Sequence, residues 1–360
     1  MIAVSSPVPH NPSMTDTRPP ESPTKALAPI PVTGPHFEDF RIGQQYDAPA
    51  VTLTSGHAAL YQAITGDRLR LPLDHHLSRR LTGLDRPLAH PMLVINLAIG
   101  QTTWASQRVK ANLFYRGLIL RRPVLLDDTL HTTSRVVALK QNTIKPGRPA
   151  TGIVALEMVS RNQHDEEVLH FWRCPMIPCR SPDAATGHGD DLTRVGTQPD
   201  VETLRQAVPT NWQLEALRSR LPTELPKIEA GMRLAVEARD TVTSAPELVR
   251  ATLNMAMAHT DAKLSYLGER LVYGGHTVSI AFAQITRAIP SLITLLAWES
   301  CDHVAPVIEN DRLRSEVFVT AIEQLASGRL LRLRIETFAA RGNHEEESKV
   351  LDWRLVAWAL

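Results

Sequence analysis

The chain has 360 residues, 43% of them hydrophobic and 21% charged, with a formal net charge of +1. These values belong to a globular protein of one large domain or two ordinary ones, and they give no charge footprint for nucleic acid or an anionic membrane. No apolar run reaches bilayer length, and Cys174, Cys179 and Cys301 form neither a complete disulfide set nor a zinc spacing, so the expected setting is a reducing cytoplasm.

Residues 1–35 are rich in Pro, Ser and Thr, lack the apolar segment of a secretory signal, and are expected to be a disordered tail. Order begins at Phe37-Glu-Asp-Phe-Arg-Ile-Gly43, a turn into an alternating strand over 48–53. Ser55 to Ile64 predicts a helix that stops at Thr65-Gly66-Asp67, and a Pro- and Arg-rich loop follows to Arg86. Ala89-His90-Pro91 then opens an apolar helix over 92–100. From there the apolar period changes to two. Residues 111–120, 128–139, 150–161 and 167–177 read as strands of one antiparallel sheet, joined by turns at 123–127, 141–148 and 162–166. Residues 181–229 read as a linker, with one helix near Trp212 to Arg220 and room to fold against the body.

The second half repeats the first. Arg86-Pro-Leu-Ala-His-Pro-Met pairs with Arg270-Leu-Val-Tyr-Gly-Gly-His276, and the stretch beginning at Val124 pairs with that beginning at Val307. Residues 313–323, 329–339 and 350–359 mirror the earlier strands. A helix wrapped by an antiparallel sheet, present twice and joined edge to edge, is the economical α+β architecture. Its units are expected at 36–180 and 230–360.

The stretch Ala251-Thr-Leu-Asn254-Met-Ala-Met-Ala-His259-Thr-Asp261 reads as a short helix carrying Asn254 and His259 five positions apart. Gly274-Gly275 then leads into a helical run. A glycine turn opening a helix aims free N–H groups at whatever lies before it, a site for an anion or a polarised carbonyl oxygen. Histidine titrates near neutrality and suits proton transfer, and an amide orients water by donating and accepting hydrogen bonds. Packing histidine and packing glycines are the plainer readings of the same residues.

The chain resembles the MaoC-like dehydratase family in its double hotdog form. The similarity rests on Phe37-Glu-Asp-Phe-Arg-Ile-Gly43, Thr65-Gly-Asp67, His90-Pro-Met, Gly274-Gly275-His276, and the two turns Pro123-Val-x-x-Asp-Asp-Thr-Leu130 and Pro306-Val-x-x-Asn-Asp-Arg-Leu313. Within the family, Leu-Val-Tyr-Gly-Gly-His with Asn-x-x-x-x-His resembles the mesaconyl-CoA hydratases, also called β-methylmalyl-CoA dehydratases. The resemblance implies reversible addition of water to an enoyl-CoA, with CoA as part of the substrate, no separate cofactor and no metal. The family's exposed strand edges and habit lean toward a homodimer.

Carried over by position, the family's Asp-x-x-x-x-His dyad falls on Asn254 and His259, with Gly275 as oxyanion donor. Asn254 cannot take a proton, so Asp302 and Asp261 are candidate substitutes, Asp302 first because it belongs to a strand beside the central helix. Gly274, His276 and Tyr273 are expected to bind substrate, and Arg116 and Arg122 to clamp CoA phosphates. Arg250 and Arg270 are candidate partners for an extra substrate carboxylate. In the first half Asp67 stands at the dyad aspartate, but Pro72 replaces its histidine, and that half is expected to shape the acyl pocket of the other. Thioester hydrolysis and acyl-CoA binding without turnover are the alternatives.

Overall fold

Strands that alternate apolar and polar residues bury one face only, and here each buried face closes on a helix. The computed structural model describes residues 29–360, so the proline-rich stretch up to residue 28 lies outside them. Thr33 to Leu360 form one compact unit. Twelve strands lie among the described residues: β1 (Gln45–Tyr46), β2 (Val51–Thr52), β3 (Ala111–Leu120), β4 (Thr129–Gln141), β5 (Thr151–Arg161), β6 (Glu167–Pro178), β7 (Arg233–Ala235), β8 (Asp240–Thr241), β9 (Leu292–His303), β10 (Arg312–Gln324), β11 (Arg329–Ala340) and β12 (Glu347–Ala359). They make one antiparallel sheet in the order β1-β4-β5-β6-β3-β9-β12-β11-β10-β7, with β2 also on β4 and β8 on β10. The halves join at β3 and β9, where Tyr115 lies opposite Cys301 and Arg116 opposite Ser300. No helix of the described residues is long and apolar enough to cross a membrane.

The repeat is visible in single hydrogen bonds. Leu88 bridges Leu125 as Leu271 bridges Ile308. Asp128 Oδ2 accepts from Leu125 N, and Asp311 Oδ2 accepts from Ile308 N, each closing the turn into a long strand. Asp127 and Asn310 hold the left-handed position of those turns. Bulges fall at Val136/Ala138 and at Val319/Ala321. This register corrects the sequence pairing by one residue. His90 and Tyr273 are the caps of the two central helices, Pro91–Gln101 and Gly274–Ala288, so Gly274 is equivalent to Pro91 and not to His90.

The two central helices meet near equivalent positions. Asn96 Nδ2 donates to Ser279 Oγ at 2.8 Å, and that hydroxyl donates to Gly275 O at 2.7 Å. A Cβ on Gly275 would stand 2.0 Å from Asn96 Oδ1, so the approach requires glycine there. The core runs without a break from Phe37 to the buried tryptophans Trp298 and Trp353.

One segment departs from the sequence reading, and the 181–229 segment folds against it. Residues 68–86 are not a loop: they hold helices Arg70–Leu73 and His75–Thr82. Asp74 Oδ1 caps the second by accepting from Leu77 N at 2.9 Å, while Leu71, Leu77 and Leu81 are buried. Leu204, Ala207, Val208 and Leu217 of the 181–229 segment pack into the same cluster, against Ile293 and Trp358.

Asn254 and His259 do not share a helix either. The helix Ala245–Ala251 ends at Thr252, Leu253 adopts φ +58°, and His259 closes a separate turn, Met257–His259. The cause is tertiary. Met255 N donates to Thr103 Oγ1 at 2.8 Å and Met257 N to Gln107 O at 2.9 Å, which ties this segment to the end of the first central helix. The Thr252 carbonyl lies against Gly100, where a Cβ would come within 1.7 Å of its oxygen. Gly100→Ala is therefore expected to lower stability by about 1–3 kcal/mol through overpacking. Urea denaturation checks this, and an unchanged midpoint contradicts it.

Candidate active site

A pocket of about 270 Å³ opens between the halves. From the second half come Asn254, His259, Leu271 to Gly274, Thr277 and His303 to Val307; the first half supplies Thr103, Ser106, Val109 to Leu113, Tyr115 and Arg173. Among the described residues no aspartate or glutamate lines it. Among the described residues no group of three or more His, Cys, Asp or Glu is arranged to hold a metal ion.

His259 stands in a defined tautomer. Its Nδ1 is 2.7 Å from Leu271 O, and a carbonyl only accepts, so Nδ1 carries the proton and Nε2 keeps its lone pair. Burial pushes its pKa down to about 4, against the pull of the Leu271 hydrogen bond. Asn254 is 7% exposed; its Oδ1 accepts from Ala256 N at 2.9 Å, and its Nδ2 has no acceptor among the described residues. Nothing among the described residues accepts from the N–H groups of Gly274 and Gly275 at the helix start. The pocket thus collects a basic nitrogen, an amide donor and an open helix N-terminus.

His303 completes the wall. Its Nε2 is buried without a partner and lies where a Gly274 Cβ would be 2.7 Å away, so Gly274 makes room for this ring. Burial, with the nearness of His259, pushes its pKa to about 4. Both pocket histidines are neutral at pH 7, one a base and the other a ring against the helix opening.

The equivalent place in the first half is closed. Pro91 has no N–H, and Met92 N donates to His90 Nδ1 at 3.1 Å. His90 Nε2 lies 3.3 Å from Asp67 Oδ1, with Asp67 fully buried. That same oxygen accepts from Leu69 N at 2.7 Å. The aspartate here braces the fold and has no helix opening to serve.

No family model matches the chain. β-Methylmalyl-CoA dehydratase of Chloroflexus aurantiacus is 31% identical over 293 residues, covering 78% of this chain and 80% of that protein. The chain belongs to the MaoC-like, double hotdog family of that dehydratase. Mesaconyl-CoA hydratase of Cereibacter sphaeroides is 27% identical over 303 residues, covering 78% and 82%. A conserved hypothetical protein of Mycobacterium tuberculosis, described as a double hotdog fold, is 46% identical with a TM-score of 0.84, covering 92% of this chain and all of that one. A MaoC domain protein of Chloroflexus aurantiacus is 27% identical with a TM-score of 0.78, covering 91% and 97%.

Within this double hotdog, the remaining predicted residues separate by strand parity. Asp302 faces away from the pocket, 37% exposed and 3.0 Å from Arg116 Nη1, so His303 and not Asp302 reaches the site. That pairing and the Phe114 ring, 4.3 Å from its guanidinium, occupy Arg116. Arg122 pairs with Glu166 and lines a different, smaller cavity. Neither arginine is on the pocket wall. His276 is fully buried inside its helix, with both ring nitrogens unpartnered, and does not line the pocket. Gly275 lies one step inside the helix and is not on the pocket wall, where Gly274 stands; its Cα packs on Asn96 and Tyr273. Tyr273 does line the pocket, its ring 5.7 Å from that of His259. Asp261 caps the turn Ala262–Leu264, Arg250 is mostly exposed near Glu247, and Arg270 pairs with Glu309. Arg173, Tyr115, Thr103 and Ser106 are wall residues that sequence reading missed.

His259, His276 and His303 are all held neutral, each with its pKa lowered to about 4. Unfolded, they titrate near pH 6.5. Between those values the unfolded chain binds protons that the folded chain refuses, so stability present above about pH 6.5 is lost as pH falls toward 4. The urea midpoint is expected to be clearly lower at about pH 5 than at about pH 7.5, and His276→Gln to flatten the slope by about one proton. Equal midpoints contradict the burial of neutral imidazoles.

Proposed function

We propose that the protein is a hydro-lyase that reversibly hydrates a short, branched enoyl-CoA, with mesaconyl-CoA and β-methylmalyl-CoA as the substrate and product pair. The carrying observation is the union, in one pocket, of the His259 Nε2 lone pair with the open start of the Gly274–Ala288 helix. The names of the two curated relatives support the same reaction class. A pocket of about 270 Å³ suits a short acyl group, with the CoA portion outside.

In this reading the Gly274 and Gly275 N–H groups receive the thioester oxygen and stabilise the enolate charge where it develops. Water bound between His259 and Asn254 Nδ2 adds at the β-carbon as His259 Nε2 takes its proton. The same nitrogen returns a proton to the α-carbon. The steps reverse for dehydration. Asn254 orients without titrating, so a single histidine carries the proton in both directions. Thioester hydrolysis would call for a carboxylate near the thioester carbonyl, and none of the described residues lining the pocket is one. Binding without turnover leaves the poised Nε2 without a role.

Incubation with mesaconyl-CoA is expected to yield a product heavier by one water, without release of free thiol. His259→Ala is expected to lose about 10²–10⁴-fold in rate, the span of general acid–base catalysis. Asp67→Asn is expected to lower stability while hydration persists. Mass spectrometry and a thiol assay decide this: free thiol release indicates a thioesterase, and full activity in His259→Ala moves the chemistry elsewhere.

A further inference from the structure

One buried charge in the pocket has no counter-ion among the described residues. Arg173 stands on β6 opposite Tyr115 of β3 and is only 3% exposed. Its Nη2 donates to Thr102 O at 3.1 Å and to Ser106 Oγ at 2.8 Å, both neutral acceptors. Its Nε is buried without an acceptor, and Nη1 has none among the described residues. The titratable groups close enough to act on it are Tyr115, Tyr273 and Cys174. Burial pushes the Cys174 thiol up to about 12 and raises both phenols, so none supplies an anion. Even arginines that keep some solvent contact are paired with carboxylates elsewhere: Arg314 with Glu347 and Arg334 with Asp352.

An arginine keeps its proton in a protein, and its planar fork matches a carboxylate. Three N–H donors, two on Nη1 and one on Nε, remain uncommitted. Lys110, the other cation on the wall, is partly exposed. We propose that Arg173 receives a free carboxylate on the acyl group and thereby selects carboxylated over uncharged enoyl-CoA. The selection rests on the hydratase reading above; carboxylate binding by Arg173 does not. The residue comes from the first half, while the proton chemistry comes from the second. The half without an open helix start therefore supplies specificity.

The test compares kcat/KM for mesaconyl-CoA with that for crotonyl-CoA, which lacks the carboxylate, in the wild type, Arg173→Lys and Arg173→Gln. The ratio is expected to fall at least about 30-fold in Arg173→Gln, as when one member of a buried charge pair is removed, and less in Arg173→Lys. Equal losses on both substrates, with an unchanged ratio, overturn the proposal. A second measurement needs no variant. The wild type is expected to bind succinyl-CoA at least about tenfold more tightly than butyryl-CoA, and equal affinities overturn the proposal. A wild type that hydrates neither enoyl-CoA refutes the hydratase reading, while the succinyl-CoA comparison still decides the role of Arg173.

Discussion

The close crossing of the two central helices is the constraint on which the rest of the molecule depends. Asn96, Ser279 and Gly275 bring the helices together through one chain of hydrogen bonds and one missing side chain. With the helices in contact, the sheets that wrap them meet at β3 and β9 and close into a single antiparallel surface. The pocket is the space left between the end of the first helix, the start of the second and the strands that join the halves. A side chain at Gly275 would push Tyr273 and Asn96 apart, and with them the wall on which His259 rests.

The repeat then separates structure from chemistry. Both halves use the same turn, the same bulge and the same central helix, so the backbone frame is given twice. The helix entrances decide which half is open. His90 and Pro91 satisfy or remove the donors of the first, whereas Tyr273, Gly274 and Gly275 leave those of the second open. Beside the closed entrance, buried Asp67 stands 3.3 Å from His90 and braces the chain by accepting from Leu69 N. The first half keeps a part in the site through its strand side chains and the end of its helix, above all Arg173 and Thr103.

Much of the fold was legible because sheet periodicity is a local signal. The predicted strands over 111–120 and 329–339 match β3 and β11 to within a residue. The helices of 68–86 were missed because their apolar positions are few and Pro72 interrupts them; the cap at Asp74 and the left-handed Gly83 were the available signals. The spacing of Asn254 and His259 suggested a shared helix, but contacts with Thr103 and Gln107, distant in sequence, override it. Asp302 and His303 differ by one position, and one step along a strand exchanges the faces of the sheet, so residue type alone could not choose between them. Arg173 shares the inward alternation of Leu169 and Phe171, a pattern present in the sequence but easily overlooked, since arginine usually lies at the surface.

The most direct test of this picture is a crystal structure with a non-reacting acyl-CoA, such as succinyl-CoA, bound. The thioester oxygen should lie within hydrogen-bond reach, about 3 Å, of the Gly274 and Gly275 N–H groups, with the acyl chain passing His259 Nε2. A thioester seated instead at the Pro91 entrance beside Asp67 and His90, or away from both helix starts, would contradict the assignment of the working site to the second half.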